Sequence, residues 1–304
     1  MGAYVEVDEI RSKWEAVKEN PDVTAAMESL TETLGRLLEQ LDDSLNELQN
    51  KQERSEQHES KIPLLNSPTH QKFSVYNTEL GQSKDEVEQR LGEPKRVSEN
   101  EYGVNWYSYH EDYHNFLMVS YDENNRVNGL YTNQDLISSS AKVQLGSSKE
   151  SVKNYLGEPL TQMRKGLVYY QVQNHDEYEI FQIDNSYITV FYDLHENDTV
   201  TAIQIISAEL EKNKKSIYTM SSPELKEGFE YQLFDLTNAA RVNHGLGILT
   251  WDDHVKETAR KHSLDMAENR YFDHVNLQGK SPFDRMKDDQ ISFLSRGKLS
   301  IWPI

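Results

Sequence analysis

The sequence of 304 residues contains no cysteine, which excludes disulfides, thiol catalysis and cysteine-based zinc sites. No apolar run approaches the roughly 20 residues of a membrane-spanning helix, and the first residues do not read as a signal peptide. Basic residues are scarce, since 32 lysines and arginines stand against 51 aspartates and glutamates and give a formal net charge of −19. This charge argues against nucleic acid and anionic membrane surfaces as partners.

What the sequence does contain is an internal repeat. Residues 80–94 read LGQSKDEVEQRLGEP, and residues 145–159 read LGSSKESVKNYLGEP. Each copy predicts a short helix with a serine N-cap, Ser83 or Ser148, and a glycine stop before proline. Alternating segments rich in Tyr, Val and Ile follow each helix and predict the strands of a β-meander. The repeat therefore predicts two helix-plus-meander units that pack as a pseudo-twofold pair.

Residues 1–65 are acidic and have a helical pattern. An apolar seam of about three heptads runs through Met27, Leu30, Leu34, Leu38, Leu41, Leu45 and Leu48. Two interpretations remain open. The helix packs within its own chain, or it forms a coiled coil that assembles a homo-oligomer through residues 22–50.

The clearest signal lies in residues 231–286, where two amphipathic helices are joined by a glycine-rich turn. In the first helix the pattern places one apolar stripe on one face: Phe229, Leu233, Leu236 and Ala240. In the second helix the pattern predicts an inner face of Val255, Ala259, His262 and Met266.

These residues resemble the opening half of a CAP domain, also called an SCP domain. The shared motifs are Asn-x-x-Arg at 238–241, Gly-Leu-x-x-Leu-x-Trp at 245–251, Ala-Arg-x-His-Ser-x-Asp-Met at 259–266 and Tyr-Phe-x-His at 271–274. Residues 71–208 resemble the CAP-associated N-terminal domain that precedes CAP domains in some Firmicutes proteins. The resemblance implies an α+β protein with a helical N-terminal segment, a tandem helix-plus-β-meander repeat domain and a partial CAP α-β-α sandwich.

The sequence thus predicts four parts. They are an acidic helical segment at 1–65, the tandem repeat domain at 71–208 with copies at about 71–135 and 136–208, a linker at 209–227, and a partial CAP domain at 228–304. A complete CAP domain is longer than the last part, so we expect a C-terminally truncated domain, for which a premature stop or a frameshift is a hypothesis.

A histidine motif occurs in the first repeat. Residues 110–114 read His-Glu-Asp-Tyr-His, which matches the His-Glu-x-x-His zinc pattern. Zinc binding by this pattern needs both imidazoles on one face of a helix, whereas the flanking residues alternate as strands do. We therefore predict a polar hairpin at this position. For His262 the pattern favours a buried imidazole with a satisfied hydrogen bond over a metal ligand.

The resemblance implies one metal-binding candidate. In the CAP family, the histidine of Tyr-Phe-x-His joins two glutamates and a second histidine around a cleft that can hold a divalent metal such as zinc. Only His274 of this set has a counterpart here. We accordingly name His274 as the metal candidate, and we predict no cofactor and no catalytic residue for this chain.

Bacterial CAP domains are typically exported, so the resemblance implies an extracellular or cell-envelope-associated protein. The sequence favours a non-enzymatic binding module for an unidentified extracellular ligand or protein, and it leaves enzymatic activity open. Two alternatives are a metal-assisted hydrolase that uses the CAP cleft and an oligomeric scaffold assembled through the N-terminal helix. The 17 tyrosines suit either cross-strand packing or an exposed strip that binds a polymer or a protein.

Overall fold

The computed structural model describes residues 63–172, 176–216 and 219–292. All described residues belong to one unit of the chain, residues 62–304. The leucine seam, and with it the predicted oligomer contact at residues 22–50, lies outside the described residues.

The first repeat supplies one helix and most of the early strands. Its elements are β1 (Phe73–Val75), α1 (Lys84–Leu91), β2 (Arg96–Glu99), β3 (Asn105–Glu111), β4 (His114–Tyr121), β5 (Val127–Thr132) and β6 (Ile137–Ser139). The second repeat supplies α2 (Lys149–Leu156), β7 (Gln162–Lys165), β8 (Val168–Gln171), β9 (Tyr178–Ile183), β10 (Ser186–Asp193) and β11 (Thr199–Ser207).

Both predicted helix caps are confirmed. The Ser83 side chain accepts a hydrogen bond from the backbone N–H of Glu86, and the Ser148 side chain accepts one from that of Ser151. Both helices end at a glycine with a positive φ, 77° at Gly92 and 87° at Gly157. A residue with a side chain would be strained in this conformation.

Four further helices follow the repeats: α3 (Ala208–Asn213), α4 (Pro223–Asn243), α5 (Asp253–Asn269) and α6 (Pro282–Asp288). Most of α3 and the start of α4 fall within residues 209–227, which read as a linker. Ser207 is the N-cap of α3 and Ser222 is the N-cap of α4, which has Pro223 in its first turn. We refer to residues 223–292 as the C-terminal helical region.

One antiparallel sheet of seven strands joins the two repeats in the order β2-β3-β4-β5-β11-β10-β9. The two copies meet where β5 pairs with β11, for example at Leu130 and Ile205. On one side of this pairing the strands follow in the order β3-β4-β5, and on the other side β9-β10-β11 mirror that order, as the repeat predicts. Strands β1 with β6 and β7 with β8 form two separate two-stranded sheets.

The sheet buries side chains on both faces. Leu117 and Val119 of β4 point to a core that also contains Val87 of α1 and Val152 of α2. The alternate residues of β4 belong to a second cluster, which includes Ala239 of α4. Burying one such aliphatic or aromatic side chain contributes about 1.5–3 kcal/mol. The protein is thus α+β, with helices on both faces of a central sheet.

Tyrosines contribute to this packing. The rings of Tyr107 and Tyr121 meet edge to face at 5.0 Å, and the hydroxyl groups of Tyr109 and Tyr121 lie 3.0 Å apart. Tyr155 and Tyr169 are exposed instead. Cross-strand packing is therefore confirmed for the tyrosines of β3 and β4.

Helix α4 exposes part of its apolar stripe. Its buried positions are Leu225, Gly228, Gln232, Asp235, Asn238 and Ala239, whereas Phe229 and Leu233 are 45% and 48% exposed and Leu236 and Ala240 are half-buried. The helix packs on β2 and β4 mainly through small and polar residues, and the half-buried Leu236 packs against the second cluster, while Phe229 and Leu233 remain about half exposed. In α5 only Thr258 and His262 are buried, so Val255 and Ala259 of the predicted inner face lie exposed.

Candidate functional site

The His-Glu-Asp-Tyr-His segment forms a tight hairpin, as predicted. Asp112 and Tyr113 occupy its two turn positions, both in the left-handed region with φ of 45° and 65°. This is the backbone of the turns that favour two-residue hairpins. Glu111 of β3 pairs with His114 of β4, so His110 and His114 lie on different strands and not on one helical face.

Tyr113 connects this hairpin to α4. Its hydroxyl donates a hydrogen bond of 3.0 Å to Oδ1 of Asp235, and its backbone N–H donates one of 3.0 Å to Nδ1 of His110. The rings of Tyr113 and His110 are stacked, with centroids 4.1 Å apart and planes within 14°. The motif that resembles a zinc site therefore forms part of the site where α4 docks on the sheet. We call this site the seat of α4; it comprises Arg96, Ser108, His110, Tyr113 and Asp235.

Asp235 is the centre of that seat, with 1% of its surface exposed. Nε of Arg96 donates to both carboxylate oxygens at 3.2 and 3.0 Å, and the Ser108 hydroxyl donates at 3.2 Å. Burial raises the pKa of Asp235, and Arg96, Tyr113 and Ser108 only partly offset this effect. The carboxylate is thus held by donors from β2, β3 and the turn before β4.

The Arg96 guanidinium also lies against aromatic rings of the C-terminal helical region. Its central carbon is 4.4 Å from the ring centroid of Tyr231, 5.9 Å from that of Phe234 and 6.0 Å from that of Trp251. Cation–π contacts of this kind contribute about 0.5–2 kcal/mol. Arg96 therefore binds α4 and the turn that leads to α5 at the same time.

Two more contacts fix α4 along the edge of the sheet. Nε2 of Gln232 donates to the carbonyl of Glu99 at 2.7 Å and to the hydroxyl of Ser98 at 3.2 Å. At Gly228 the helix approaches so closely that an added Cβ would lie 2.1 Å from the carbonyl oxygen of Glu99. The sequence pattern missed this interface because its polar residues suggested a solvent-facing side. The sequence feature that could have indicated this interface is the absence of lysine at positions 225, 228, 232, 235 and 239.

The Asn-x-x-Arg motif holds the turn after α4. The Asn238 side chain accepts from the backbone N–H of Leu249 at 2.7 Å and donates to its carbonyl at 3.1 Å. Nε of Arg241 donates to the carbonyl of Gly247 at 2.7 Å. Both residues thus have a packing role in the turn between α4 and α5.

His262 is 9% exposed, and its Nε2 donates to the carbonyl of Asp273 at 2.8 Å. The predicted buried imidazole with a hydrogen bond is confirmed. Because Asp273 precedes His274, His262 fixes the backbone of the Tyr-Phe-x-His segment.

His274 lies exposed in the loop between α5 and α6. Its carbonyl accepts a hydrogen bond of 2.9 Å from Nη1 of Arg285. Among the described residues, no group of three or more His, Cys, Asp or Glu side chains is placed to hold a metal ion. Zinc sites in proteins use three or four protein ligands, so His274 and its described neighbours do not match the donor set that a metal requires. The metal role of His274 stays a prediction.

Large apolar side chains are exposed over much of the C-terminal helical region. They include Phe229 and Leu233 on α4, Leu264 on α5 at 59%, and Phe272 in the following loop at 76%. Within the described residues, no helix has the length and apolar character needed to cross a bilayer. The region is therefore fixed on the sheet through α4 and exposes apolar side chains on α4, on α5 and in the following loop.

Two family models match this chain in order. Residues 80–217 match the CAP-associated N-terminal family, and residues 234–291 match CAP, the cysteine-rich secretory protein family. These matches confirm the resemblance to CAP (SCP) domain proteins that carry a CAP-associated N-terminal domain.

Two relatives come from Bacillus subtilis (strain 168). The first, described as the uncharacterized membrane protein YlbC, is 27% identical over 237 residues, which cover 72% of this chain and 68% of the relative. The second, the uncharacterized protein YkwD, is 38% identical over 85 residues, or 28% of this chain and 33% of the relative.

Two solved structures share the fold. One is an extracellular protein containing an SCP domain from Bacillus anthracis str. Ames, with a TM-score of 0.60 and 19% identity, covering 77% of this chain and 81% of that one. The other is a cysteine-rich secretory protein from Staphylococcus aureus subsp. aureus Mu50, with a TM-score of 0.58 and 15% identity, covering 75% and 78%.

Proposed function

We propose that this protein is a non-enzymatic binding module that acts outside the cell or at the cell envelope. The names of similar proteins support this location, because one solved structure is of an extracellular protein and one relative is described as a membrane protein. The ligand is unidentified, and we infer its class from the surface that the C-terminal helical region presents.

The observation that carries the proposal is the outward stripe of α4. Phe229 and Leu233 are one helical turn apart and about half exposed, while an adjacent side of the same helix is fixed by Asp235 and Gln232. Exposed apolar patches of this kind mark interaction surfaces. A helix surface is convex, whereas small-molecule sites are concave, so the stripe suits a protein partner with a complementary groove.

Site-specific photo-crosslinking tests this proposal. A crosslinking side chain at position 233, in the full chain displayed at the bacterial surface, is expected to give a discrete adduct with one envelope or extracellular protein. The same side chain at Glu227, an exposed position on a different face of α4, is the matched control. Equal adducts at both positions, or none at position 233, would contradict a binding role for the stripe.

A metal-assisted hydrolase remains the rival proposal, supported by the match of His274 to the family cleft. Calorimetric titration of the full chain with zinc distinguishes the two. The binding-module proposal expects no stoichiometric tight binding. Tight binding that disappears in His274→Ala would favour the hydrolase.

An oligomeric scaffold is the third proposal, and it depends on residues 22–50. Light scattering of the full chain and of a chain without residues 1–60 tests it. An unchanged oligomeric state would remove it.

A further inference from the structure

His110 occupies an unusual place in the seat of α4. Its ring is half-buried, stacked on Tyr113 and 5.9 Å from the ring of Phe116. Nδ1 of His110 accepts the backbone N–H of Tyr113, so this nitrogen must carry no proton while the hairpin has this shape. The hydroxyl of the same tyrosine holds Asp235 of α4. The protonation state of one imidazole is thus connected to the anchor of a helix.

The surroundings of the ring disfavour a positive charge. Burial lowers the pKa of His110 to about 4, and Lys95 and Arg96 on the β2 side act in the same direction. Asp112 in the turn opposes them. The other charged or titratable groups at or beside the seat of α4 are Glu111 and His114 in the hairpin and Asp235 on α4.

We propose that His110 is an acid-sensitive latch for the C-terminal helical region. Protonation of Nδ1 removes the acceptor of the Tyr113 backbone N–H. The N–H groups of His110 and Tyr113 are then two donors that point at each other. The turn then changes conformation and no longer directs the Tyr113 hydroxyl to Asp235. Helix α4 consequently loosens from β2 and β4. Since α4 begins the C-terminal helical region, mild acid would change how the apolar stripe is presented.

The direction of the pH effect follows from the linkage between proton binding and the stability of the docked α4. The folded pKa of His110 lies below its ordinary value of 6.5, so its contribution to the seated state is complete above pH 6.5 and is lost as the pH falls toward about 4. Asp235 acts in the opposite sense, because its pKa is raised above 3.8 and the seated state gains stability as that carboxylate takes up a proton. A comparison of variants separates the two groups.

Amide hydrogen exchange of α4 in the full chain tests the latch at about pH 7.5 and about pH 5, after correction for the intrinsic rates. The difference between the pKa of about 4 and the ordinary 6.5 corresponds to a roughly 10- to 30-fold rise in opening of α4 at the lower pH. In His110→Asn the side-chain oxygen takes the place of Nδ1 and accepts the Tyr113 N–H without titrating, so the acid response is expected to disappear. His114→Asn, across the same turn, is the matched control and keeps the response.

An NMR titration of the imidazoles in the wild-type chain makes the test independent of folding in the variant. The expected result is a His110 midpoint well below 6.5, with the backbone shifts of α4 following the same midpoint. A midpoint near 6.5, an α4 that does not follow it, or an undiminished acid response in His110→Asn would overturn the proposal.

Discussion

Asp235 on α4 and Arg96 on β2 form an ion pair in which one guanidinium nitrogen donates to both carboxylate oxygens, at 3.2 and 3.0 Å. The two residues are 139 positions apart in sequence, and one belongs to the tandem repeats while the other belongs to the CAP family match. The first CAP helix is therefore part of the packing of the preceding domain.

The first prediction concerns this pair. Removing one partner of a buried ion pair leaves an uncompensated charge, which costs about 3–5 kcal/mol. We expect Asp235→Ala to lower the free energy of unfolding by about that amount in urea denaturation. The surface pair of Lys280 and Asp288 is the control, because exposed pairs contribute about 0–1 kcal/mol, so Asp288→Ala is expected to change little. Equal losses in both variants would contradict the role of Asp235.

The second prediction concerns the close approach at Gly228. Alanine is the better helix former by about 1 kcal/mol, yet its Cβ would lie 2.1 Å from the Glu99 carbonyl oxygen. Because that atom belongs to the backbone, the helix must shift, and overpacking costs about 1–3 kcal/mol. We expect Gly228→Ala to lower the thermal midpoint, and Gly247→Ala, which has open space around it, to leave it nearly unchanged. A stabilised Gly228→Ala would show that α4 does not contact β2 in this way.

The third prediction concerns the apolar stripe. Since Leu233 is about half exposed, Leu233→Glu should change the unfolding free energy by no more than about 0.5 kcal/mol. Phe116 on the opposite side of the interface is fully buried, and Phe116→Ala should cost about 3–5 kcal/mol. Chemical denaturation of both variants checks the difference. A large loss in Leu233→Glu would place that side chain in a core.

The fourth prediction concerns acid stability at Glu79. Burial raises the pKa of Glu79, but hydrogen bonds from the backbone of Thr69, His70 and Gln71 outweigh it, so the pKa lies below 4.5. Its contribution is therefore complete above pH 4.5 and is lost as the pH falls through the lowered value. Glu79→Gln should destabilise the protein at neutral pH and reduce the loss on acidification, as unfolding measured at several pH values would show. Glu123→Gln in an exposed turn is the control, and an identical response of both would refute the role of Glu79.

Local features such as helix caps and the hairpin were predictable from the sequence, whereas the packing of α4 on the sheet was not. The caps at Ser83 and Ser148 and the hairpin at 110–114 depend on residues within a few positions of each other, so the pattern sufficed. The orientation of α4 depends on partners more than 100 positions away, such as Ser98 and Arg96. An apolar stripe usually faces the core, but here the polar stripe finds matched donors and acceptors on the sheet. The partner of His262 is close in sequence, because Asp273 lies in the Tyr-Phe-x-His motif that follows the motif of His262.

The orientation of α4 is the claim on which the account depends most, and the absence of native cysteine gives it a direct test. Gln232 is 8% exposed and Leu233 is 48% exposed, although they are neighbours on one helix. Single Gln232→Cys and Leu233→Cys variants would be labelled with a maleimide under native conditions and followed by mass spectrometry. The account predicts rapid labelling at position 233 and slow labelling at position 232 that becomes rapid only in denaturant. Rapid native labelling at position 232 with protection at position 233 would contradict it.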